Sequence, residues 1–435
     1  MTSTTLGVAG FAMIILFMYL IMSKRMTAMN ALILIPIVFA LCLGFYDAGL
    51  GKMMFDGVRR VAPTGIMIFF AILFFGVMID AGLFDPIIKR ILESVRGDPV
   101  RVCVGTAVLA AVISLDGDGS TTYLVTCSAM LAVHRRVGLR PIILPAIAVL
   151  ENSVMNIIPW GGPTGRVLAS LNVESSQVFV PMIPGMVLGT LFVCYMGYRW
   201  GLQERARLGV LDIKHEGAAV AADDDPEAAK LKRPERFWFN AALVVLLMVC
   251  LIGEVLPLAI LFIIGTALAL MINYKNKDQQ ARIAANGANA TPVVTMVFAA
   301  GIFMGILADT KMVDAMAKMI LAGVPESMGP HLALITALIS LPGTFFMTND
   351  AFYFGVLPVL VKAAAAYGID AAEMGRAALI GQGAHLLSPL VPSTYLLVGL
   401  NKVEFGDLQK FALLPAIGVS LIWLATAVAL GNIRL

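Results

Sequence analysis

Apolar runs alternate with short polar joints along this chain, and ten of the runs approach the ~20 residues that a spanning helix needs. They begin near Leu6, Ala31, Val61, Pro141, Val178, Phe237, Leu256, Pro292, Ala377 and Phe411. Two regions break the pattern. Residues 102–115 and 121–133 are runs of only 14 and 13 residues, each about 20 Å long as helix against a hydrocarbon core of about 30 Å. Between them stands Asp116-Gly-Asp-Gly-Ser-Thr-Thr122, tolerable at membrane depth only where it is buried in protein or lines a wet cavity. The pattern predicts a re-entrant helical hairpin near residues 100–133. It predicts a second near 331–365, where a run from Leu332 meets a polar break ending Phe346-Met-Thr-Asn-Asp350 and returns from Ala351.

The chain also repeats itself. At a constant offset of 229, Gly76, Asp80, Asp85, Lys89, Ile91 and Leu92 return as Gly305, Asp309, Asp314, Lys318, Ile320 and Leu321. In so apolar a chain, a duplication of half the length is the mark of a transporter whose site lies between two repeats. The expected fold is an all-α polytopic membrane protein: a first repeat over 1–201, a linker over 202–236 and a second repeat over 237–435. Each repeat has five spans and one hairpin, and an odd number of crossings makes the two halves inverted. Placing both termini outside puts most Lys and Arg residues in the cytoplasm, among them Arg135, Arg136, Arg140 and the cluster over 199–236, as the positive-inside rule requires. The run over 6–22, followed by Lys24 and Arg25, is expected to be a retained helix rather than a signal peptide. The first hairpin then enters from the cytoplasm and the second from outside, so that their tips meet near the midplane.

Composition narrows the class. With 59% hydrophobic and 14% charged residues, the chain has too little polar surface for a soluble globule. The net charge of +3 does not point to nucleic acid, and the five cysteines lack metal-ligand or disulfide spacing. The linker, with Asp223-Asp-Asp-Pro226 and Lys232-Arg-Pro-Glu-Arg236, reads as a solvated cytoplasmic segment without chemistry. Asp85, followed by Pro86, is expected to cap an amphipathic arm helix, and Asp314 its counterpart.

The chemistry concentrates at the breaks. Asp116, Gly117, Asp118, Gly119, Ser120, Thr121 and Thr122 combine carboxylates, hydroxyls and flexible backbone where the second limb begins. Free N–H groups there suit an anion, and the Asp oxygens suit a cation or proton. An EF-hand is excluded, because Thr121 and Cys127 stand where glycine and glutamate are needed; a tight polar turn satisfied by its neighbours is the plain alternative. Glu151, Asn152 and Asn156 precede Pro159-Trp-Gly-Gly-Pro-Thr-Gly-Arg166, a break in which Gly161 and Gly162 free backbone groups. Its counterpart holds Gln382, His385 and Ser388-Pro-Leu-Val-Pro-Ser-Thr394, which offers Ser388, Pro389, Ser393 and Thr394. Thr348, Asn349 and Asp350 form the second tip. Glu151 and His385 are the candidate proton carriers, with a bridging structural role the alternative for His385. Trp160 is either packing or a lid. Enzyme motifs of the zincin, nucleophile-elbow or P-loop type are missing from the sequence, so an intramembrane enzyme is the weaker alternative from another class and no cofactor is expected.

Four segments carry a resemblance: Ser114-Leu-Asp-Gly-Asp-Gly-Ser-Thr-Thr-Tyr-Leu124, Pro159-Trp-Gly-Gly-Pro-Thr164, Asn349-Asp-Ala-Phe-Tyr-Phe-Gly-Val-Leu-Pro358 and His385-Leu-Leu-Ser-Pro-Leu-Val-Pro-Ser-Thr-Tyr395. Through them the chain resembles the bacterial citrate-metal:proton symporter family, CitMHS, from about residue 11 to about 414, failing only in the linker. The resemblance implies proton-coupled symport of citrate, or a similar tricarboxylate, chelated to a divalent metal of the Mg or Ca class. It implies the bacterial inner membrane, an elevator mechanism, a homodimer in lipid, and metal near Asp116 and Asp118 through the complex. Trivalent citrate with a divalent ion keeps about one negative charge, and moving it inward against 100 mV costs ~2.3 kcal/mol, which co-transported protons would offset. The related sodium-dependent dicarboxylate carriers have Ser-Asn-Thr at their tips. Here the tips read Gly119-Ser-Thr-Thr122 and Met347-Thr-Asn-Asp350, a pattern that does not support sodium coupling. A sodium-coupled dicarboxylate carrier or an oxyanion efflux protein is the alternative within transport.

Overall fold

A computed structural model describes residues 2–46, 48–95, 97–210, 226–253, 255–323 and 325–434, and among these every regular element is helical. Two helices dominate, Ala48–Asp80 with 33 residues and Asn276–Asp309 with 34. At 1.5 Å per residue each is about 50 Å long. They start well before the apolar runs expected from Val61 and Pro292. Their first half carries Lys52, Asp56, Arg59 and Arg60, or Lys277, Asp278 and Arg282; hydropathy rejects these residues, but a helix accommodates them.

The two long helices run antiparallel. Gly57 lies against Gly301 and Gly305, Gly65 against Phe298, and Gly76 against Asn286, so position falls along one helix as it rises along the other. A Cβ on Gly57 would sit 2.1 Å from the Gly301 carbonyl oxygen, and one on Gly305 would sit 2.2 Å from that of Met53. Such close backbone approach supplies the packing that the hydrophobic effect cannot provide in lipid. The contacts obey the sequence offset: Gly76 and Gly305 are equivalent, as are Gly57 and Asn286. The repeated aspartates clasp the same junction. Arg60 Nη2 donates to Asp309 Oδ1 at 3.0 Å, while Asn286 Nδ2 donates to Asp80 Oδ2 at 2.9 Å, with Arg282 Nη1 at 3.4 Å. Preceding helices pack crosswise, Ala28–Cys42 on Asn276–Asp309 and Leu258–Asn273 on Ala48–Asp80.

Asp85 is the first residue of the arm helix Asp85–Val95 rather than its cap, and Asp314 lies in the first turn of Met312–Gly323. Both aspartates pair with lysines, Asp85 with Lys232 at 2.8 Å and Asp314 with Lys362 at 2.9 Å. The linker therefore docks at its described end, where Arg233 N–H also donates to the Ala81 carbonyl at 2.9 Å. Its part over 211–225, with Asp223, Asp224 and Asp225, lies outside the described residues.

Both hairpins fold back on themselves. In the first, Pro99–Ile113 and the 3-10 turn Ser114–Asp116 lead through Gly117, with φ +81°, to Gly119–Val137. Thr106 meets His134 at 2.9 Å, and Thr122 meets Ser114 at 3.2 Å. In the second, Leu332–Phe346 returns through a π-helical segment, Ala351–Val356, into Leu357–Ala364. There Gly343 lies against Phe352 and Gly329 against Tyr367. The limbs are longer than the apolar runs. Pro99–Asp116 and Glu326–Phe346 even belong to the seven described helices long and apolar enough to cross a membrane. Limb-to-limb pairing, not shortness, makes these segments hairpins.

The first hairpin is pinned at its base. Asp98 caps Pro99–Ile113 by accepting from Val100 N–H at 3.0 Å, and it also accepts from Arg205 Nε at 3.0 Å. Burial raises the Asp98 carboxyl, but the bonds from Arg205 and Val100 outweigh it and hold the group below its ordinary range. Arg140 and Arg207 similarly hold Glu204. These ties attach the hairpin to Ile183–Leu208, which packs in turn on Phe405–Ala429.

Candidate functional site

Each of the two broken spans uses one device to satisfy its interrupted backbone. The first runs from Ile143–Met155 to Gly162–Leu171, and Thr164 Oγ1 donates back across the break to the Ile157 carbonyl at 2.7 Å. The second runs from Gln382–His385 to Pro392–Asn401, and Thr394 Oγ1 donates to the Leu386 carbonyl at 2.5 Å. In each case a hydroxyl from the first turn of the returning half-helix caps a carbonyl left open by the outgoing one. Asn156 caps the outgoing half of the first break, and Gly161 caps the half that begins at Gly162.

The first hairpin tip reaches both breaks. A Cβ on Gly119 would come within 2.9 Å of Asn152 Nδ2 and 3.1 Å of Ser393 Oγ. Trp160 Nε1 donates to the Leu115 carbonyl at 2.9 Å while its ring stacks on Phe75 at 5.3 Å, so Trp160 is packing that holds the tip. Within the tip, Asp116 Oδ1 accepts from Asp118 N–H at 2.9 Å. Asp118 Oδ2 accepts from Thr121 N–H at 2.7 Å and from its hydroxyl at 2.9 Å. Both carboxylates thus hold their own loop, and Asp118 is the N-cap of the second limb. Ser120 stands half-buried in its first turn.

The second tip engages the same two breaks. Thr348 Oγ1 accepts from Ala351 N–H at 3.2 Å, and Asn349 Oδ1 accepts from Gln382 Nε2 at 2.9 Å. Asp350 Oδ1 accepts from Arg166 Nε at 2.7 Å, and Arg166 Nη1 donates to the Gly162 carbonyl at 3.0 Å. Ser388 Oγ donates to the Phe345 carbonyl at 2.6 Å, whereas Pro389 is exposed and stands apart. Among the described residues no hydrogen bond joins the tips directly; Arg166 links the second tip to the first break, and Ser393 lies against the first.

The two proposed proton carriers differ in setting. His385 Nδ1 lies 2.6 Å from the Thr344 carbonyl oxygen; that oxygen can only accept, so Nδ1 bears a hydrogen and Nε2 is the nitrogen at which a proton can be gained or lost. Glu151 is fully buried and faces Ile183–Leu208, with Cys194 Sγ 3.9 Å from Oε1, on a different side of its helix from Asn152.

Among the described residues, three buried side-chain atoms around the breaks make no hydrogen bond: Asn152 Nδ2, Gln382 Oε1 and the Tyr123 hydroxyl. Native interiors leave few such groups, and a cluster of them marks where a ligand or water completes the bonding. Among the described residues no group of three or more His, Cys, Asp or Glu is placed to hold a metal ion. Arg166, Gln382 and Tyr123 were not among the expected site residues. Arg166 could have been found as the lone cation closing a glycine-proline break; Gln382 was placed at the equivalent break by the sequence but not assigned to the site.

Residues 8–381 match the citrate transporter family CitMHS. The chain is 58% identical over 429 residues to a citrate transporter of Bacillus subtilis (strain 168), covering 98% of this chain and 99% of that one. It is 48% identical over 434 residues to a Mg(2+)/citrate complex secondary transporter of the same organism, covering 99% of each. Among solved structures, the YdaH transporter of Alcanivorax borkumensis superposes with a TM-score of 0.62 at 17% identity, over 88% of each chain. MtrF of Neisseria gonorrhoeae gives 0.56 at 14%, over 87% of this chain and 84% of the other. At these identities the structural likeness shows the fold alone.

Proposed function

The chain belongs to the CitMHS family of citrate transporters, and from that premise we propose that it takes citrate into the cell as a divalent-metal complex, driven by protons. It is a multi-pass membrane protein and a secondary transporter of citrate, not an enzyme. The observation that carries the finer reading is the convergence of both hairpin tips on both helix breaks, where buried donors and acceptors are left open. The name of the Mg(2+)/citrate relative supports the complex as substrate.

In this reading Asn152, Asn156, the two tips and the Ser388 to Thr394 break surround the complex. His385, held through Nδ1 by the Thr344 carbonyl, carries the coupled proton at Nε2, and Glu151 is the second carrier. The hairpins, breaks and closing helices travel together past the framework of the two long helices, giving alternating access in a homodimer of the inner membrane. Both termini face outside and the linker faces the cytoplasm. Inward protons offset the ~2.3 kcal/mol that one negative charge meets at 100 mV.

Labelled citrate uptake into proteoliposomes tests this, with a panel of divalent cations and imposed proton or sodium gradients. Accumulation should require both a divalent cation and an inward proton gradient, and collapsing that gradient should abolish it. Uptake that ignores protons and follows sodium would falsify the symport reading.

A further inference from the structure

Two charged groups of the site, Arg166 and Asp350, face one another across the two halves of the chain. Arg166 stands on the returning half-helix of the first break and Asp350 at the tip of the second hairpin. Their side chains are only 18% and 13% exposed, with Nε 2.7 Å from Oδ1. Among the described residues neither Arg166 Nη2 nor Asp350 Oδ2 makes a hydrogen bond, so each partner keeps unused bonding capacity. Fully buried Gln382 bonds Asn349, the residue before Asp350, and its Oε1 has no hydrogen bond.

We propose that this ion pair is the selectivity element for the metal complex: it opens on binding, Arg166 taking a citrate carboxylate and Asp350 the divalent ion. The inference rests on the metal-citrate reading and adds which residues recognise which part of the substrate. Its logic is electrostatic. Opening a buried ion pair strands two charges unless both find new partners. Free citrate would satisfy Arg166 but press further negative charge on Asp350. A bare metal ion would satisfy Asp350 and repel Arg166. Only a ligand with an anionic and a cationic end replaces both halves at once, and guanidinium suits carboxylate for reasons of geometry as well as charge.

The coordination count agrees. A Mg-class ion takes one or two protein carboxylates and fills its remaining positions with substrate oxygens and water. A single Asp350 is therefore sufficient where no cluster of three or more ligands occurs among the described residues. Asp116 and Asp118 each have one oxygen held by their own loop, Asp116 Oδ1 by Asp118 N–H and Asp118 Oδ2 by Thr121, and among the described residues neither is paired with an arginine that a citrate carboxylate could take over. The pair would then act as an internal stand-in for the substrate, each residue playing the part of the substrate group that its partner later binds.

Calorimetric titration of the purified full chain tests this with three probes: citrate in excess chelator, magnesium chloride alone, and magnesium citrate. Wild type should prefer magnesium citrate to metal-free citrate by about tenfold or more. Asp350→Asn should shrink that preference to about twofold by weakening the complex and sparing free citrate, while Arg166→Gln should weaken both forms. Asp350→Glu should keep the preference and Asp350→Gln lose it, a second comparison available if the Asn variant does not survive purification. An undiminished preference in Asp350→Asn and Asp350→Gln, or loss of the preference in Asp118→Asn instead, overturns the assignment. Wild-type protein that binds neither form of citrate would instead remove the substrate reading on which it stands.

Discussion

Asp118 shows how one side chain can serve the fold and the site together. Its Oδ2 accepts from the Thr121 amide and hydroxyl, capping a limb whose first turn faces Asn152 and Ser393. Asparagine caps a helix about as well as aspartate, whereas alanine does not, at a loss of about 1 kcal/mol. Asp118→Asn should therefore keep the melting temperature near wild type yet slow citrate uptake, while Asp118→Ala should lower both. Thermal unfolding in detergent and proteoliposome kinetics separate the two roles; unchanged uptake in Asp118→Asn would leave the carboxylate only a cap. The neighbouring Asp116, buried and bonded to the Asp118 amide, belongs to the same turn. At this scale the sequence offered the types of residue but not their partners. Asp350 and Arg166 lie 184 positions apart, and no local pattern links them.

Among the elements, the two long helices depend on the absence of side chains where their backbones cross. Gly305 has the Met53 carbonyl in the place a Cβ would occupy, whereas Gly287 on the same helix has no neighbour within 4 Å. Gly305→Ala should lower stability by about 1–3 kcal/mol through overpacking. Gly287→Ala should be neutral or stabilising, since alanine is favoured over glycine in a helix by about 1 kcal/mol. Thermal unfolding of the two variants side by side checks this, and equal effects would mean that the crossing is not tightly packed. The same crossing explains why Gly76 and Gly305 recur at equivalent positions while Gly57 is matched by Asn286: one junction is closed by glycine on both sides and the other by glycine against an amide that also binds Asp80.

For the whole molecule, the two long helices run antiparallel and the helices before them pack crosswise. If both termini face outside, a cysteine placed at Glu235 in a cysteine-free background should resist an impermeant reagent in intact cells and react in inverted vesicles. Labelling at Glu235 from outside would reverse the topology. Apolar run length, the 229-residue offset and the polar residues at the breaks were legible in the sequence because they are local or periodic, and together they determined an all-helical membrane protein with paired hairpins and broken spans. Run length misled in two places. It cut the long helices short, because charged first turns beyond the hydrocarbon are still helical. It also attributed the hairpins to limbs too short to span, when the described limbs include two of span length. What only the tertiary structure decided was which polar groups meet: Arg166 with Asp350, Gln382 with Asn349, Gly119 with Ser393, and Glu151 turned toward Cys194. Those pairings join segments far apart in the chain, and they depend on helix rotation and hairpin depth, which long-range packing sets and hydropathy does not encode.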